Sequence, residues 1–300
     1  MVEMTDCTGG MWRQGFAGDT LNTALYLARL SARRLDVNYV TAVGDDEFSR
    51  EMIDAWRNEG LGTDLVRPLT GRLPGLYLIR TDPAGERRFF YFRSAAAARQ
   101  LFADAETIEL LEQVKTHNVI YLTGITLSIL TSDARVRLTE AIDAARALGA
   151  RVVFDSNYRP VGWPDRATAQ QVIGSFLPRT DIALPTFDDE EALWGDQNPE
   201  MTARRLANQG IREIAIKLGA EGCLVHDGAS FEAVPVPHRI APIDTTAAGD
   251  AFNAGYLAAR LLSRASPTAA AHAGHTLAGA KIQHRGAIMP REAMLTLGAA

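Results

Sequence analysis

Asn118-Val119-Ile120-Tyr121-Leu122, then Ser132 to Leu148, then Arg151-Val152-Val153-Phe154 make one unit: an apolar run, an amphipathic stretch, and a second apolar run. In the middle stretch Val136, Leu138, Ile142 and Ala145 recur at helical spacing, and Gly149 supplies a stop. Two strands joined by such a helix are expected to lie parallel. The rhythm extends in both directions. Val37 to Val43 reads as a strand and Asp46 to Asn58 as a helix closed by Gly60. Arg166 to Leu177 reads as a helix and Asp181-Ile182-Ala183-Leu184 as a strand. A helix over Met201–Asn208, ended by Gly210, leads into the strand Glu213-Ile214-Ala215-Ile216-Lys217. From Gly249 onward the chain reads mostly helical. Alternation of this kind predicts an α/β fold, with a mostly parallel sheet covered by helices on both faces.

The bulk properties fit that fold and exclude others. The chain has 300 residues, 47% hydrophobic and 22% charged, an ordinary globular balance. Its net charge of −5 argues against a general nucleic-acid binder, which needs a basic surface. Cys7 and Cys223 give no disulfide framework and too few ligands for a zinc site. No run of 18 apolar residues exists to span a bilayer, and the first residues lack the blocks of a signal peptide. A cytoplasmic protein with no membrane or nucleic-acid partner is the expectation.

One segment breaks the parallel rhythm. Gly75–Arg80 and Arg87–Arg93 flank Asp82-Pro83-Ala84-Gly85, a tight turn, so an antiparallel hairpin is expected within 72–95. Alternation places Tyr77 with Ile79 on one face, and Phe89, Tyr91 and Arg93 together on a face of the return strand. An arginine on an aromatic face reads either as a ligand cover or as an edge packed on the body or on another subunit.

The densest chemistry lies in Ile243-Asp244-Thr245-Thr246-Ala247-Ala248-Gly249-Asp250-Ala251-Phe252-Asn253-Ala254-Gly255. Small residues before a helix leave first-turn N–H groups open to an anion. A carboxylate at Asp250 in that turn would stand beside a bound phosphate, where it can take a proton from an attacking hydroxyl. Read as a bare pattern, Asp250 is more readily a helix cap, as Asp commonly is.

This stretch strongly resembles the C-terminal signature of the PfkB (ribokinase-like) carbohydrate kinases, usually Asp-Thr-x-Gly-Ala-Gly-Asp. Ala247 replaces the first glycine, a departure associated with the 2-keto-3-deoxygluconate kinase branch. Alanine accepts most backbone conformations except those with positive φ, so the anion seat is expected to survive. Gly15-Phe16-Ala17-Gly18-Asp19-Thr20-Leu21-Asn22 resembles the family's N-terminal Gly-Gly-Asp-x-x-Asn block. Leu73–Tyr77, Tyr91–Ala97, Phe154–Pro160, Asp188–Gly195 and Arg285–Met294 also fit, in order, along nearly the whole chain.

The resemblance implies a single ribokinase-like kinase domain over 1–300, a three-layer α/β/α fold with the 72–95 hairpin as a small β lid. It implies ATP-dependent phosphorylation of 2-keto-3-deoxy-D-gluconate at its 6-hydroxyl, with Asp250 as base and Ala247, Ala248 and Gly249 holding the transferred phosphate. Gly18, Asp19 and Asn22 fall where the family grips sugar hydroxyls, and Asp19 also reads as the N-cap of a helix Thr20–Leu30. The substrate's carboxylate calls for a guanidinium fork. Arg93 is the first candidate, with Tyr77 and Tyr91 beside it. Arg159 is the second, for the carboxylate or for the nucleotide phosphates. Asn157, Arg159, Lys217, Gly219, Ala220, Gly222, Asn253 and Gln283 fall where the family meets its nucleotide.

Phosphoryl transfer also needs Mg²⁺. Many relatives supply an Asn-x-x-Glu block; Thr186-Phe187-Asp188-Asp189 matches neither type, so the ligand stays unassigned, with Asp189 or Glu190 as candidates to hold a metal-bound water. The family normally opens with a central strand about ten residues earlier. Met1-Val2-Glu3-Met4 resembles the end of that strand, and its loss would leave sheet edges unpaired. The rival readings are a kinase for a neutral sugar such as fructose or ribose, and a truncated, inactive ligand-binding relative. A homodimer through the lid is a further expectation.

Overall fold

The computed structural model describes residues 1–7, 10–81 and 87–295. The expected turn Asp82-Pro83-Ala84-Gly85 therefore lies outside the described residues. Six strands come before residue 100: β1 (Val2–Asp6), β2 (Trp12–Phe16), β3 (Thr41–Gly44), β4 (Val66–Leu69), β5 (Leu76–Thr81) and β6 (Arg87–Phe92). Six follow: β7 (Val119–Thr123), β8 (Arg151–Asp155), β9 (Ile182–Ala183), β10 (Glu213–Lys217), β11 (Cys223–His226) and β12 (Phe231–Val234).

The main sheet runs β12-β11-β10-β9-β8-β7. Strands β7 to β10 are parallel, and β11 and β12 add antiparallel at one edge. Its two faces are both apolar, as a doubly covered sheet requires. Val152 and Phe154 of β8, with Ile214 and Ile216 of β10, pack into a core with Leu138, Ile142 and Ile173 of the helices Ser132–Ala147 and Arg166–Phe176. The alternate residues Val153 and Ala215 face Phe252, Tyr256 and Ala270 of the helices Ala248–Leu262 and Pro267–Lys281. This is the three-layer α/β/α arrangement. Burying each such side chain contributes about 1.5–3 kcal/mol.

The sequence placed most elements within a residue or two. Asp46 caps the helix Glu47–Asn58 by accepting from the Ser49 N–H. The expected strand over Val37–Val43 is shorter, because only Thr41–Gly44 pairs with β4. On the helix Ser132–Ala147 the buried stripe is Ala134, Leu138, Ala141, Ile142 and Ala145, while Val136 faces solvent. Val136 lies off that stripe by half a turn, despite being apolar.

The expected hairpin is part of a larger four-stranded sheet, ordered β2-β1-β5-β6. Here the reading of Met1-Val2-Glu3-Met4 is corrected. Strand β1 pairs antiparallel with β2 and parallel with β5, in this small sheet and not in the central one. Its alternation explains why: Val2 packs on Leu21 and Leu25 of the helix Asp19–Ser31, whereas Glu3 turns to the other face. A strand buried on both sides would be apolar throughout. Strands β3 and β4 form a separate parallel pair. A cavity of about 790 Å³ lies between β7 and the segment that leads into β3, lined by Tyr39, Val40, Val119, Tyr121 and Leu257 among others. Among the described residues no helix is long and apolar enough to cross a membrane.

Candidate active site

The parallel strands β7, β8 and β10 end at Thr123, Asp155 and Lys217, and the site is assembled beyond those carboxyl ends, where open α/β sheets hold ligands. A cleft of about 900 Å³ opens there, between the main sheet and the face of the small sheet that carries Tyr77.

The helix Ala248–Leu262 points its N-terminus into this cleft. Asp244 fixes the loop ahead of it, accepting from the Thr246 N–H at 2.8 Å and the Gly286 N–H at 2.7 Å. Ala247, at the cap, has φ 60° and ψ 19°. The turn thus forms without glycine, but in the left-handed conformation that alanine disfavours by about 1–2 kcal/mol. The expectation of a conformation comfortable for alanine is corrected. The Ala248 N–H is donated to the Thr245 carbonyl at 3.1 Å, so donors for an anion fall to Ala247 and Gly249.

Asp250 lies in the first turn. Its carboxylate Oδ2 accepts from Asn22 Nδ2 at 2.8 Å, and its carbonyl accepts from Thr23 Oγ1 at 3.3 Å. Burial, then the nearby Asp19 charge, push its pKa from 3.8 up to about 7. Asp19 is itself raised by burial. The helix begins at Asp19, with Gly18 as its cap. The Asp19 carboxylate reaches across to accept from Thr123 Oγ1 and, at 3.3 Å, from Asn157 Nδ2.

Beneath the helix N-terminus lies a buried polar network. Lys217 Nζ donates to Asp155 Oδ2 at 2.6 Å and to Asn253 Oδ1 at 3.0 Å. Asn253 Nδ2 donates in turn to Asp155 Oδ2 at 2.8 Å and to the Tyr121 hydroxyl at 3.0 Å.

The opposite wall is the small sheet. Tyr77 opposes Tyr91, and Ile79 opposes Phe89, across the β5–β6 pair. The Tyr77 and Tyr91 rings lie 6.0 Å apart, and the Arg93 guanidinium sits 4.4 Å from the centre of the Tyr91 ring. Behind Tyr77, its hydroxyl donates to Glu3. On the far rim Arg159 donates to Asp189 at 2.8 Å and to the Tyr158 carbonyl at 2.7 Å.

Gly18, Asp19, Asn22, Tyr77, Tyr91, Arg93, Asn157, Arg159, Lys217, Ala247, Ala248, Gly249 and Asp250 all line this one cleft. Others do not. Asn253, placed at the nucleotide by resemblance, is fully buried in the network under the helix, because it lies one turn beyond Asp250 on the inward face. Gln283 donates to the Ala241 carbonyl at 3.1 Å away from the cleft. Gly219 and Ala220 form an exposed turn after β10, Gly222 is buried behind it, and none of the three lines the cavity. Glu190 is not free for a metal-bound water: it is buried against Arg205 at 2.5 Å.

Reading the residues in order overlooked Glu3, Thr123 and Asp155. A carboxylate at the end of a predicted strand, followed by Asn157 and Arg159, was a usable signal for Asp155. Thr123 meets Asp19 across 104 positions of sequence, and nothing local marks it.

The pattern of the pfkB family carbohydrate kinases matches residues 3–294. This chain belongs to that family. It is 46% identical over 299 residues to the 2-dehydro-3-deoxygluconokinase of Escherichia coli K12, covering 98% of this chain and 96% of that protein. A 2-dehydro-3-deoxygluconokinase of Haemophilus influenzae is 39% identical over 288 residues, covering 95% and 91%. The crystal structure of a 2-dehydro-3-deoxygluconokinase from Thermotoga maritima superposes with a TM-score of 0.85 at 18% identity, over 100% of this chain and 96% of that one. At that identity the superposition establishes the fold. In this carbohydrate kinase Asp250 stands at the mouth of a helix, in the first turn of Ala248–Leu262.

Proposed function

We propose that this carbohydrate kinase transfers the γ-phosphoryl group of ATP to the 6-hydroxyl of 2-keto-3-deoxy-D-gluconate (2-dehydro-3-deoxygluconate). The observation that carries the reading is Asp250: a buried carboxylate in the first turn of a helix, titrating at about 7, facing a wall of two tyrosines and an arginine. Its identity to two 2-dehydro-3-deoxygluconokinases over almost the whole chain supports the choice of acid over neutral sugar.

In this reading Asp250 accepts the proton of the 6-hydroxyl as its oxygen attacks the γ-phosphorus and the bond to the bridging oxygen of ADP breaks. A base with a pKa near the working pH is suited to that step. Ala247 and Gly249 N–H groups, with the dipole of the helix Ala248–Leu262, meet the charge spread over the transferred phosphoryl oxygens. Gly18, Asp19 and Asn22 hold the sugar hydroxyls, and Asn157 braces Asp19. Arg93 pairs with the carboxylate beside Tyr91. Arg159, anchored on Asp189, reaches the nucleotide phosphates. Lys217 acts from below by holding Asp155 and Asn253.

Among the described residues no three His, Cys, Asp or Glu side chains converge to cage a metal. That fits Mg²⁺, which keeps its waters and is held largely by nucleotide phosphates, with Asp189, ion-paired at 2.8 Å to the cleft residue Arg159, as the candidate to hold a metal-bound water. The ion supplies neutralisation of phosphate charge. Outward-facing Phe90 and Phe92, exposed on the small sheet, support pairing of two copies through the lid.

The test is ADP formation by the purified chain with ATP, Mg²⁺ and a panel of sugars and sugar acids. The keto-deoxy acid is expected to give the highest kcat/KM, and Asp250→Asn to abolish turnover. Faster turnover of fructose or ribose would overturn the choice of substrate.

A further inference from the structure

Tyr77 has one hydroxyl proton and lone pairs that accept. Its direct neighbour in the parallel β1–β5 register is Glu3, whose Oε2 accepts the hydrogen bond that this hydroxyl donates. Glu3 is 7% exposed and does not line the catalytic cleft; it lies behind Tyr77, where Thr5 Oγ1 donates to its other oxygen at 3.4 Å. An ionised carboxylate can only accept. The Tyr77 hydroxyl therefore points its proton away from the ligand and presents lone pairs to the cleft. A staple between β1 and β5 would not need this polarity, since the two strands are already joined by backbone hydrogen bonds and a buried carboxylate is costly to place.

We infer that Glu3 is a positioning residue that makes Tyr77 an obligate hydrogen-bond acceptor, so that Tyr77 reads a hydroxyl of the substrate and refuses its keto and carboxylate oxygens. This rests on the sugar-acid reading above and extends it, by fixing which end of the substrate meets which tyrosine. Keto and carboxylate oxygens only accept, so they cannot pair with Tyr77. They must lie toward donors, with Arg93 foremost, while a hydroxyl-bearing carbon lies against Tyr77. A site that holds a substrate hydroxyl in this way rejects the analogue lacking it, because a buried acceptor is left unpaired.

The experiment compares wild type, Tyr77→Phe, Glu3→Gln and the double variant on 2-keto-3-deoxygluconate and on its analogues lacking the 4- or 5-hydroxyl. Glutamine keeps the shape of Glu3 but turns one of its two acceptor oxygens into an N–H donor, so Tyr77 is no longer confined to donating toward it and its proton can turn to the cleft. Wild type is expected to disfavour one of the two analogues by roughly ten- to hundredfold in kcat/KM. Tyr77→Phe and Glu3→Gln should each erase most of that preference, the double variant no more than either, with the change in KM and little in kcat. Melting temperatures serve as the check for a merely structural role. If Glu3→Gln discriminates like wild type, or the two single effects add, the inference is overturned. A separate readout needs no turnover: a downfield hydroxyl-proton resonance that is lost in Tyr77→Phe and moves upfield in Glu3→Gln. Its absence in wild type would also overturn the inference. Should wild type phosphorylate a neutral sugar and not the keto acid, the substrate reading falls alone, and the same four proteins are compared on that sugar's deoxy analogues.

Discussion

Asn22 Nδ2 donates to Asp250 Oδ2 at 2.8 Å, joining the first helix of the chain to the first turn of a helix 228 residues later. This bond is the main one holding Asp250 toward its charged form, against burial and the charges of Asp19 and Asp155. The ionisation of Asp250 is therefore set by burial and two neighbouring carboxylates on one side, and by the Asn22 amide and the Lys217 cation on the other.

The acid limb of the kcat/KM profile is expected near pH 7, since Asp250 must be ionised to accept a proton and its pKa is about 7. Asn22→Ala removes the opposing hydrogen bond, so that limb should move to higher pH. The variant then falls further behind wild type at pH 6 than at pH 8.5. Initial rates from pH 5.5 to 9 measure this; an unmoved limb would mean that another group controls the step.

Asp250→Asn should separate activity from stability. Loss of the base is expected to lower kcat by roughly 10³-fold or more. The folded pKa lies above the ordinary 3.8. The carboxyl therefore stabilises the fold fully only below about pH 4, and that contribution is lost as pH rises through about 7. At pH 8 the neutral amide avoids that loss. The variant should melt a few degrees above wild type there, and the gain should shrink by pH 5 and vanish below about pH 4, as read by calorimetry at pH 8, 5 and 3.5.

How much of this was legible depends on distance along the chain. Period-two alternation put Tyr77 with Ile79 on one face and grouped Phe89, Tyr91 and Arg93, because a strand's faces are written locally. The small-residue run before Asp250 announced an anion seat for the same reason. Asn253 was misplaced because the helical period gives a direction but not the neighbour waiting there, in this case Lys217 and Asp155 from two other strands. Strand β1 was assigned to the wrong sheet because partner choice is a tertiary decision; the polar Glu3 between Val2 and Met4 was the one local clue to it.

Ala247 sits at φ 60°, where glycine carries no Cβ penalty. Ala247→Gly should relieve that strain and, after the greater freedom of glycine in the unfolded chain is subtracted, raise stability by up to about 1 kcal/mol. Phosphate binding needs only the backbone here, so kcat/KM should stay within about twofold. Urea denaturation and steady-state kinetics test both halves; a loss of stability would show that the alanine methyl packs favourably.

Lys217 and Asp155 form a buried pair at 2.6 Å, with side chains 8% and 4% exposed. Lys217→Met leaves a buried carboxylate without its cation and should cost about 3–5 kcal/mol. Replacing both, as Lys217→Met with Asp155→Leu, should recover much of that loss while leaving the enzyme impaired, since Asn253 and the floor of the cleft lose their anchor. Denaturation of the two variants gives the comparison; a double variant less stable than the single would indicate that the pair is strongly net stabilising.

Arg93 is where the proposed choice of an acid over a neutral sugar is tested. Its guanidinium lies over the Tyr91 ring at 4.4 Å, held ready to turn its donors to a carboxylate. Removing a charged hydrogen-bonding group from a bound anion costs about 1.5–3 kcal/mol, so Arg93→Ala should raise KM for the keto-deoxy acid about ten- to hundredfold with a smaller change in kcat. Arg93→Lys keeps the charge but not the two parallel donors and should recover only part of the affinity. The corresponding neutral sugar, with no carboxylate to pair, should be turned over poorly by wild type and no worse by either variant. Equal losses on acid and neutral substrates would move the carboxylate contact elsewhere, with Arg159 the next residue to replace.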